Sequence, residues 1–151
     1  MSKRHTPNRN VDKCPITFAL DIFGDRWSLI VLRDLIFKGK RFYGDFLKSP
    51  ESISTNILAD RLNRMEAEGL INKQRDTANQ TRYIYTLTQK GKDLIPLLLE
   101  MIIWSSQYDP QPDAPSSIIY GAPENLLQRA AEDRPALIAE IIENIDSMQA
   151  S

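Results

Sequence analysis

The sequence predicts a mainly α-helical fold with one small β-hairpin. Three observations carry that expectation. Ser54–Gly69 (STNILADRLNRMEAEG) joins a helix start, a one-sided apolar seam and a helix stop in sixteen residues. Arg82–Leu87 alternates Tyr83, Tyr85 and Leu87 against Ile84 and Thr86, the period of a half-buried strand. The stretch after Thr88 is richer in apolar residues than one helix face can bury against a small domain, so it needs a partner.

Composition sets the frame. A chain of 151 residues with 42% hydrophobic content is long enough for one sizeable core. Its longest apolar stretch, Leu94–Trp104, is broken by Pro96 and Glu100 and is shorter than the ~20 residues that span a bilayer, so no membrane association is expected. The N-terminus has no apolar segment of the secretory kind, and the expected location is the cytoplasm. Charge is unevenly placed: residues 1–104 hold 17 Lys and Arg against 12 Asp and Glu, whereas residues 105–151 hold 2 against 8. Either chance segregation on a solvated surface or contact of the front part with a polyanion accounts for this. One cysteine, Cys14, excludes an intrachain disulfide framework.

Taken in order, residues 1–12 lack apolar periodicity and are expected to form a flexible basic arm. A domain then spans residues 13–108. Its first helix opens at Cys14-Pro15, with proline where a first turn tolerates it, places Ile16, Leu20 and Phe23 on one side, and stops at Gly24. Asp25 caps a second helix that runs to Gly39 and is apolar almost all round, hence central to the core. A short helix at about Gly44–Lys48 turns inward Phe46 and Leu47, and Ser49–Ile53, with Pro50, breaks it.

The next helix is Ser54–Gly69. Leu58, Leu62 and Met65 fall at i, i+4 and i+7 and form its core side, opposite Asn56, Asp60, Asn63 and Ala67. Two helices joined by a short turn, the second with a polar outer face, make the helix-turn-helix arrangement. Leu70–Arg75 and Arg82–Leu87 come after it as a hairpin with a five-residue polar tip at Asp76–Gln80. Thr88 then caps one long helix to Tyr108, whose excess apolar surface is met by a second copy of the chain or by the chain's own C-terminal part. Residues 109–122 form a Pro-rich linker, and residues 123–151 an acidic helical C-terminal extension. The architecture is thus a winged helix-turn-helix domain with a long C-terminal dimerisation helix and a helical appendage.

The outer face of Ser54–Gly69 holds side chains that can meet base edges and phosphates. Ser54, Thr55, Asn56 and Asp60 are the candidates for the DNA-facing half, with Asn63 farther along; Asn pairs bidentately with adenine, and Asp accepts from a cytosine amino group or repels phosphate. Arg61 and Arg64 are expected at phosphate, although Arg64 can instead pair with Glu68 at i+4. Arg41 and Tyr43, near the start of the preceding helix, and Asn79, Gln80 and Arg82 at the wing complete the set. Lys73 and Arg75 read as the solvated side of the strand.

The residues also resemble a family, the HxlR-type bacterial transcriptional regulators, related in fold to the MarR type. The resemblance runs from about Lys13 to Tyr108. It rests on Cys14-Pro15, on ALDIFGDRWSLIVLRDL (Ala19–Leu35), on Arg41-Phe42, on SISTNILADRLNRMEAEGLI (Ser52–Ile71) and on YIYTLTQKG (Tyr83–Gly91). It implies a homodimeric DNA-binding repressor or activator, with Ser54–Gly69 in the major groove, the hairpin as wing, and the first and long last helices forming the dimer interface. Family wings often carry prolines before the second strand, whereas this loop has Ala78, Asn79 and Gln80. The family includes thiol-based sensors with a reactive cysteine near the N-terminus, which makes Cys14 the candidate redox switch. A helix N-terminus and Lys13 lower a thiol pKa, while burial silences it, so an inert Cys14 is the alternative.

No catalytic motif is present, so an enzyme is not expected. The single histidine, His5, lies in the arm, and there is no glycine-rich phosphate loop and no Cys/His metal spacing, so no metal or cofactor is expected either. The expected partners are double-stranded DNA, a second copy of the chain and a small effector of unassigned chemistry. The alternative function is a protein-interaction module with a winged-helix fold that binds no specific DNA.

Overall fold

Nine residues of helix, α1 (Pro15–Phe23), begin the structure, a computed structural model that describes residues 14–110 and 125–150. The expected basic arm and most of the Pro-rich linker lie outside the described residues. Gly24 ends α1 because the chain turns back tightly there: a Cβ would meet the Leu20 carbonyl oxygen at 2.5 Å. None of α1 is buried, and Ile16, Phe18 and Leu20 are exposed.

Asp25 caps α2 (Arg26–Phe37), its carboxylate accepting from the Ser28 backbone N–H at 3.0 Å and the Ser28 hydroxyl at 2.5 Å. Val31, Leu32, Leu35, Ile36 and Phe37 are buried, which makes α2 the central helix, as its all-round apolar pattern requires. Gly39 leaves it at φ +63°, a left-handed conformation that glycine adopts without a Cβ penalty. The next helix, α3, is shorter than its sequence suggests and starts one residue earlier, at Tyr43–Phe46.

Helix α4 (Thr55–Ala67) has the expected ends. The Ser54 hydroxyl accepts from the Ile57 N–H at 3.3 Å, and Gly69 lies beyond the C-terminal end at φ +75°. Leu58, Leu62 and Met65 are buried, as their spacing demands.

Strands β1 (Ile71–Arg75) and β2 (Tyr83–Leu87) pair antiparallel, with Ile71 opposite Leu87 and Arg75 opposite Tyr83. The connection therefore spans Asp76–Arg82 rather than five residues. Arg82 leaves the strand because its guanidinium turns back onto Asp76, Nε to Oδ2 at 2.6 Å, and the Asp76 N–H donates to the Arg82 carbonyl at 3.0 Å. A further edge joins the hairpin unforeseen: Phe42 bridges Ile84, and the Tyr85 N–H donates to the Arg41 carbonyl at 2.8 Å.

The long helix expected from Thr88 is broken into α5 (Gln89–Lys92) and α6 (Ile95–Tyr108). Pro96 explains the break. It has no N–H to donate, and inside a continuous helix its ring would collide with the carbonyl four residues back, at Lys92; at the second position of a new helix it does neither. α5 is held down by Thr88, whose hydroxyl donates to the Gly69 carbonyl at 2.6 Å and accepts from the Gly91 N–H at 3.1 Å. Gly91 permits this, since a Cβ there would lie 2.2 Å from the Leu70 carbonyl oxygen.

Helices α7 (Leu126–Glu132) and α8 (Arg134–Gln149) complete the described chain. Their Leu126, Ala130, Leu137, Ile141 and Ile145 belong to the same buried cluster as Leu32, Leu58 and Leu99. Polar ties reinforce the packing: Arg134 pairs with Glu100, Lys92 with Asp146, and the Leu87 N–H donates to Gln149 Oε1 at 2.8 Å. The chain's own C-terminal part thus supplies some of the cover that the apolar α6 needs. Ile95, Leu98 and Leu99 lie in the cluster, while Leu97, Met101, Trp104 and Tyr108 stay exposed.

Candidate nucleic-acid interface

What fixes the angle of α4 is a set of charged contacts between it, α2 and the intervening turn. Asp34, only 1% exposed on α2, accepts from Lys40 Nζ at 3.1 Å, from Arg33 Nη2 at 2.8 Å and from the Ser49 hydroxyl. Arg33 also forks onto Glu51, one contact at 3.0 Å, so the turn Ser49–Glu51 is pinned to α2 at two points. Ser52 accommodates the tight path at φ 60°. The Arg33 guanidinium is the largest influence on the Glu51 carboxyl and holds it at about 2, while the Arg33 pKa is pushed above its ordinary value by Glu51.

On α4 itself the sequence candidates separate into two groups. Ser54, Thr55, Asn56, Asn63 and Arg64 are exposed, and among the described residues Arg64 makes no ion pair with Glu68, the alternative its spacing allowed. Arg61 is different. Expected at phosphate, its Nε instead donates to Asp25 at 2.7 Å and its Nη1 to Asp60 at 2.5 Å. The physical reason is that Arg61 lies beside the start of α2, where the capping carboxylate of Asp25 is close enough to take it. Burial tends to raise the Asp25 carboxyl, but bonds from Arg61 and Ser28 outweigh it and bring the pKa down to about 2. Asp60, expected to face a base, is the second carboxylate on Arg61 and is half-buried.

Similar redirections occur around α4. The Tyr43 hydroxyl donates to the Thr55 carbonyl at 2.9 Å, linking α3 to the first turn of α4. Arg41, expected at phosphate, donates through Nη1 to the Met148 carbonyl at 2.6 Å, because the end of α8 packs beside it. At the hairpin tip Asn79 Oδ1 accepts from the Thr81 N–H at 3.1 Å, and Arg75 donates to the Gln80 carbonyl at 2.6 Å. These bonds give the proline-free loop a defined shape. Arg82 stands on Asp76 with its guanidinium 3.9 Å from the Phe42 ring centroid.

The hairpin also presents cations that the sequence assigned only to the solvated side of the strand. Lys73 and Arg75 are exposed and stack on Tyr83, at 4.2 and 4.8 Å from the ring centroid. Their alternation along β1, with Arg75 paired to Tyr83, is the signal that puts them on one face. The arrangement as a whole offers exposed hydrogen-bonding groups along α4 and clustered cations on the adjoining hairpin, the two kinds of contact that read base edges and hold phosphate.

A family model described as HxlR-like helix-turn-helix matches residues 22–113, more than half of the chain. The chain belongs to the HxlR-like family. An HTH-type transcriptional regulator of Synechocystis is 34% identical over 112 residues, covering 74% of this chain and 82% of that protein. YybR of Bacillus subtilis, also named an HTH-type transcriptional regulator, is 30% identical and covers 69% and 82%. Among solved structures, the redox regulator HypR in its oxidized form is similar with a TM-score of 0.56 and 29% identity, covering 66% of this chain and 99% of that one. The reduced form of the transcriptional regulator YodB from B. subtilis gives 0.54 and 27%, covering 68% and 100%.

This HxlR-like protein is therefore a transcriptional regulator with DNA as its partner, and not an enzyme. Among the described residues no helix is long and apolar enough to cross a membrane. Helices α7 and α8 lie beyond the residues that the family model matches, so the contacts Arg41–Met148 and Leu87–Gln149 add to the family's common part.

Proposed function

We propose that this regulator is a homodimeric, sequence-specific repressor that binds a pseudo-palindromic operator in the cytoplasm, with α4 in the major groove and the β1–β2 hairpin as its wing. The observation that carries the reading is the outer face of α4, where Thr55, Asn56, Asn63 and Arg64 are exposed while the inner face is sealed in the core. Asn56 and Thr55 read bases; Arg64, Lys73, Arg75 and Arg82 hold phosphate. Arg61 and Asp60 orient α4 from within.

Dimerisation is supported by exposed apolar side chains on α1 and α6. Ile16, Phe18 and Leu20 are 69, 54 and 56% exposed on α1, and Leu97, Met101, Trp104 and Tyr108 run along one side of α6 at spacings of three and four. A twofold dimer of this kind calls for operator half-sites about one DNA turn apart, ~34 Å. The test is binding of the purified protein to the DNA flanking its own gene. Affinity should fall steeply with salt and exceed that for unrelated DNA by ~10³ or more. Equal binding to unrelated sequences at ~0.15 M salt overturns the reading.

Cys14 supplies a second control point, a reading supported by the likeness to a redox regulator solved in its oxidized form. It stands at the N-cap of α1, partly exposed, on the helix that carries exposed Ile16, Phe18 and Leu20. A peroxide would convert the thiol to a sulfenic acid, which condenses with the partner subunit's Cys14 or with a small thiol and releases water. Non-reducing electrophoresis and operator binding after peroxide, compared with Cys14→Ser, decide it: unchanged operator binding in both proteins removes the switch.

A further inference from the structure

Helix α8 has sixteen residues, a length of about 24 Å, and its two ends meet different parts of the molecule. Near its start Arg134 pairs with Glu100 of α6, and Leu137 and Ile141 are buried. Its last turn reaches the base of the hairpin instead. There Asp146 accepts from Lys92 of α5, and Met148 packs on the turn at Gly39, where a Cβ would lie 3.1 Å from its sulfur. One helix therefore ties α6 to the hairpin.

The contact at the hairpin is specific in its hydrogen bonds. Tyr85 and Leu87 stand two residues apart on β2, so their N–H groups leave the strand on the same edge. Tyr85 donates to the Arg41 carbonyl at 2.8 Å, and where that short neighbouring edge ends, Leu87 donates to Gln149 Oε1, also at 2.8 Å. The Gln149 amide thus stands in for the next residue of an adjoining strand. Leu87 is buried, so without this acceptor its N–H would be left unpaired away from water. Arg41 closes the ring, its Nη1 donating at 2.6 Å to the Met148 carbonyl, one of the terminal carbonyls for which a helix supplies no donor of its own. A guanidinium at a helix C-terminus also suits the negative end of the helix dipole.

We propose that the last turn of α8 is the positioning element of the wing. Gln149, acting through Leu87, and Met148, acting through Arg41, hold the hairpin at a set angle to α6. That angle brings Lys73 and Arg75, stacked on Tyr83, to phosphate. Gln149 and Met148 are positioning residues and touch no DNA themselves. Because α8 lies beyond the residues that the family model matches, the latch is an addition made by this chain's C-terminal extension. Its effect on DNA, unlike the latch itself, rests on the operator-binding reading above, in which the hairpin is the wing.

The experiment compares the full chain with Gln149→Leu, which removes the acceptor, and Gln149→Glu, which keeps it. A chain ending at Ser147 removes the latch by a second route. Hydrogen exchange of the Leu87 amide should quicken about tenfold in Gln149→Leu and in the shortened chain, and stay near wild type in Gln149→Glu. Binding to a DNA duplex of unrelated sequence, titrated at ~0.05–0.2 M salt, should weaken about tenfold in the same two proteins, and the slope of log affinity against log salt should fall by about 2, one for each cation. Gln149→Glu should restore both. Arg75→Ala should lower the slope in wild type and change nothing further in Gln149→Leu, whereas a loss of stability alone leaves the two effects additive. Unchanged exchange at Leu87, faster exchange with unaltered DNA binding, or additive effects of Gln149→Leu and Arg75→Ala would each overturn the proposal. DNA flanking the gene is titrated alongside: no preference for it over unrelated DNA removes the regulator reading alone, since the slopes on unrelated DNA still decide the positioning of the wing.

Discussion

If Arg61 is an internal clamp rather than a phosphate contact, then Asp25→Ala should destabilise the protein about as much as the two contacts it removes. The depression of the Asp25 carboxyl from 3.8 to about 2 corresponds to ~2.4 kcal/mol. Solvent screening at a side chain 32% exposed reduces this to ~1 kcal/mol. That depression already includes the bonds from Ser28, so the cap is not counted again. The expected cost is therefore ~1 kcal/mol, which in a domain of this size lowers the thermal midpoint by ~2–4 °C. Asp25→Asn, which keeps an acceptor and loses the charge, should cost about half as much.

Urea denaturation of wild type, Asp25→Ala, Arg61→Ala and the double variant, at one protomer concentration, gives the coupling between the two residues, expected at ~1 kcal/mol. Because the folded pKa of Asp25 is depressed, its contribution is present above pH 3.8 and disappears as pH falls toward about 2. The stability gap between wild type and Asp25→Asn should close over that window. Arg61→Ala should leave the salt dependence of operator binding unchanged, whereas a phosphate contact would reduce its slope by ~1. A coupling indistinguishable from zero together with a reduced slope would refute the clamp and return Arg61 to the DNA.

Three further outcomes are expected. Asn56→Ala should weaken the specific operator by ~1–3 kcal/mol and leave non-specific binding nearly unchanged, read by competition with unrelated DNA. Trp104→Glu should shift the protein from dimer to monomer in sedimentation, because it charges a side chain 66% exposed in the open stripe of α6. Leu137→Ala should cost ~2–5 kcal/mol in urea unfolding, since the side chain is wholly enclosed where α8 meets the rest of the core; a surface appendage would show less than ~0.5 kcal/mol.

Local signals made most of the fold legible. Asp25, Ser54 and Thr88 are residue types that cap helix N-termini, and each caps the helix it precedes. Leu58, Leu62 and Met65 are buried because helical period alone puts them on one side. The break before Ile95 was harder to see, because Pro96 marked it while apolar density suggested continuity. The hairpin tip came out longer than its alternating pattern implied, since the ion pair of Arg82 with Asp76 draws Arg82 out of the strand. Among candidate site residues, exposure on α4 followed from periodicity for Thr55, Asn56, Asn63 and Arg64. The engagements of Arg41, Tyr43 and Arg61 did not, since their partners Met148, Thr55 and Asp25 lie 107, 12 and 36 residues away.

By itself the sequence determined which segments are helix or strand, which side of each is apolar, and that α4 carries a polar outer face, because caps, glycines and periodicity act within a few residues. Only the tertiary structure decided which cations remain available to a partner. A guanidinium takes the nearest carboxylate or carbonyl in space, and that neighbour is supplied by the packing of α2 and α8. It likewise made α7 and α8 part of the common core, and it brought together α3 and the hairpin, which lie some forty residues apart in the chain.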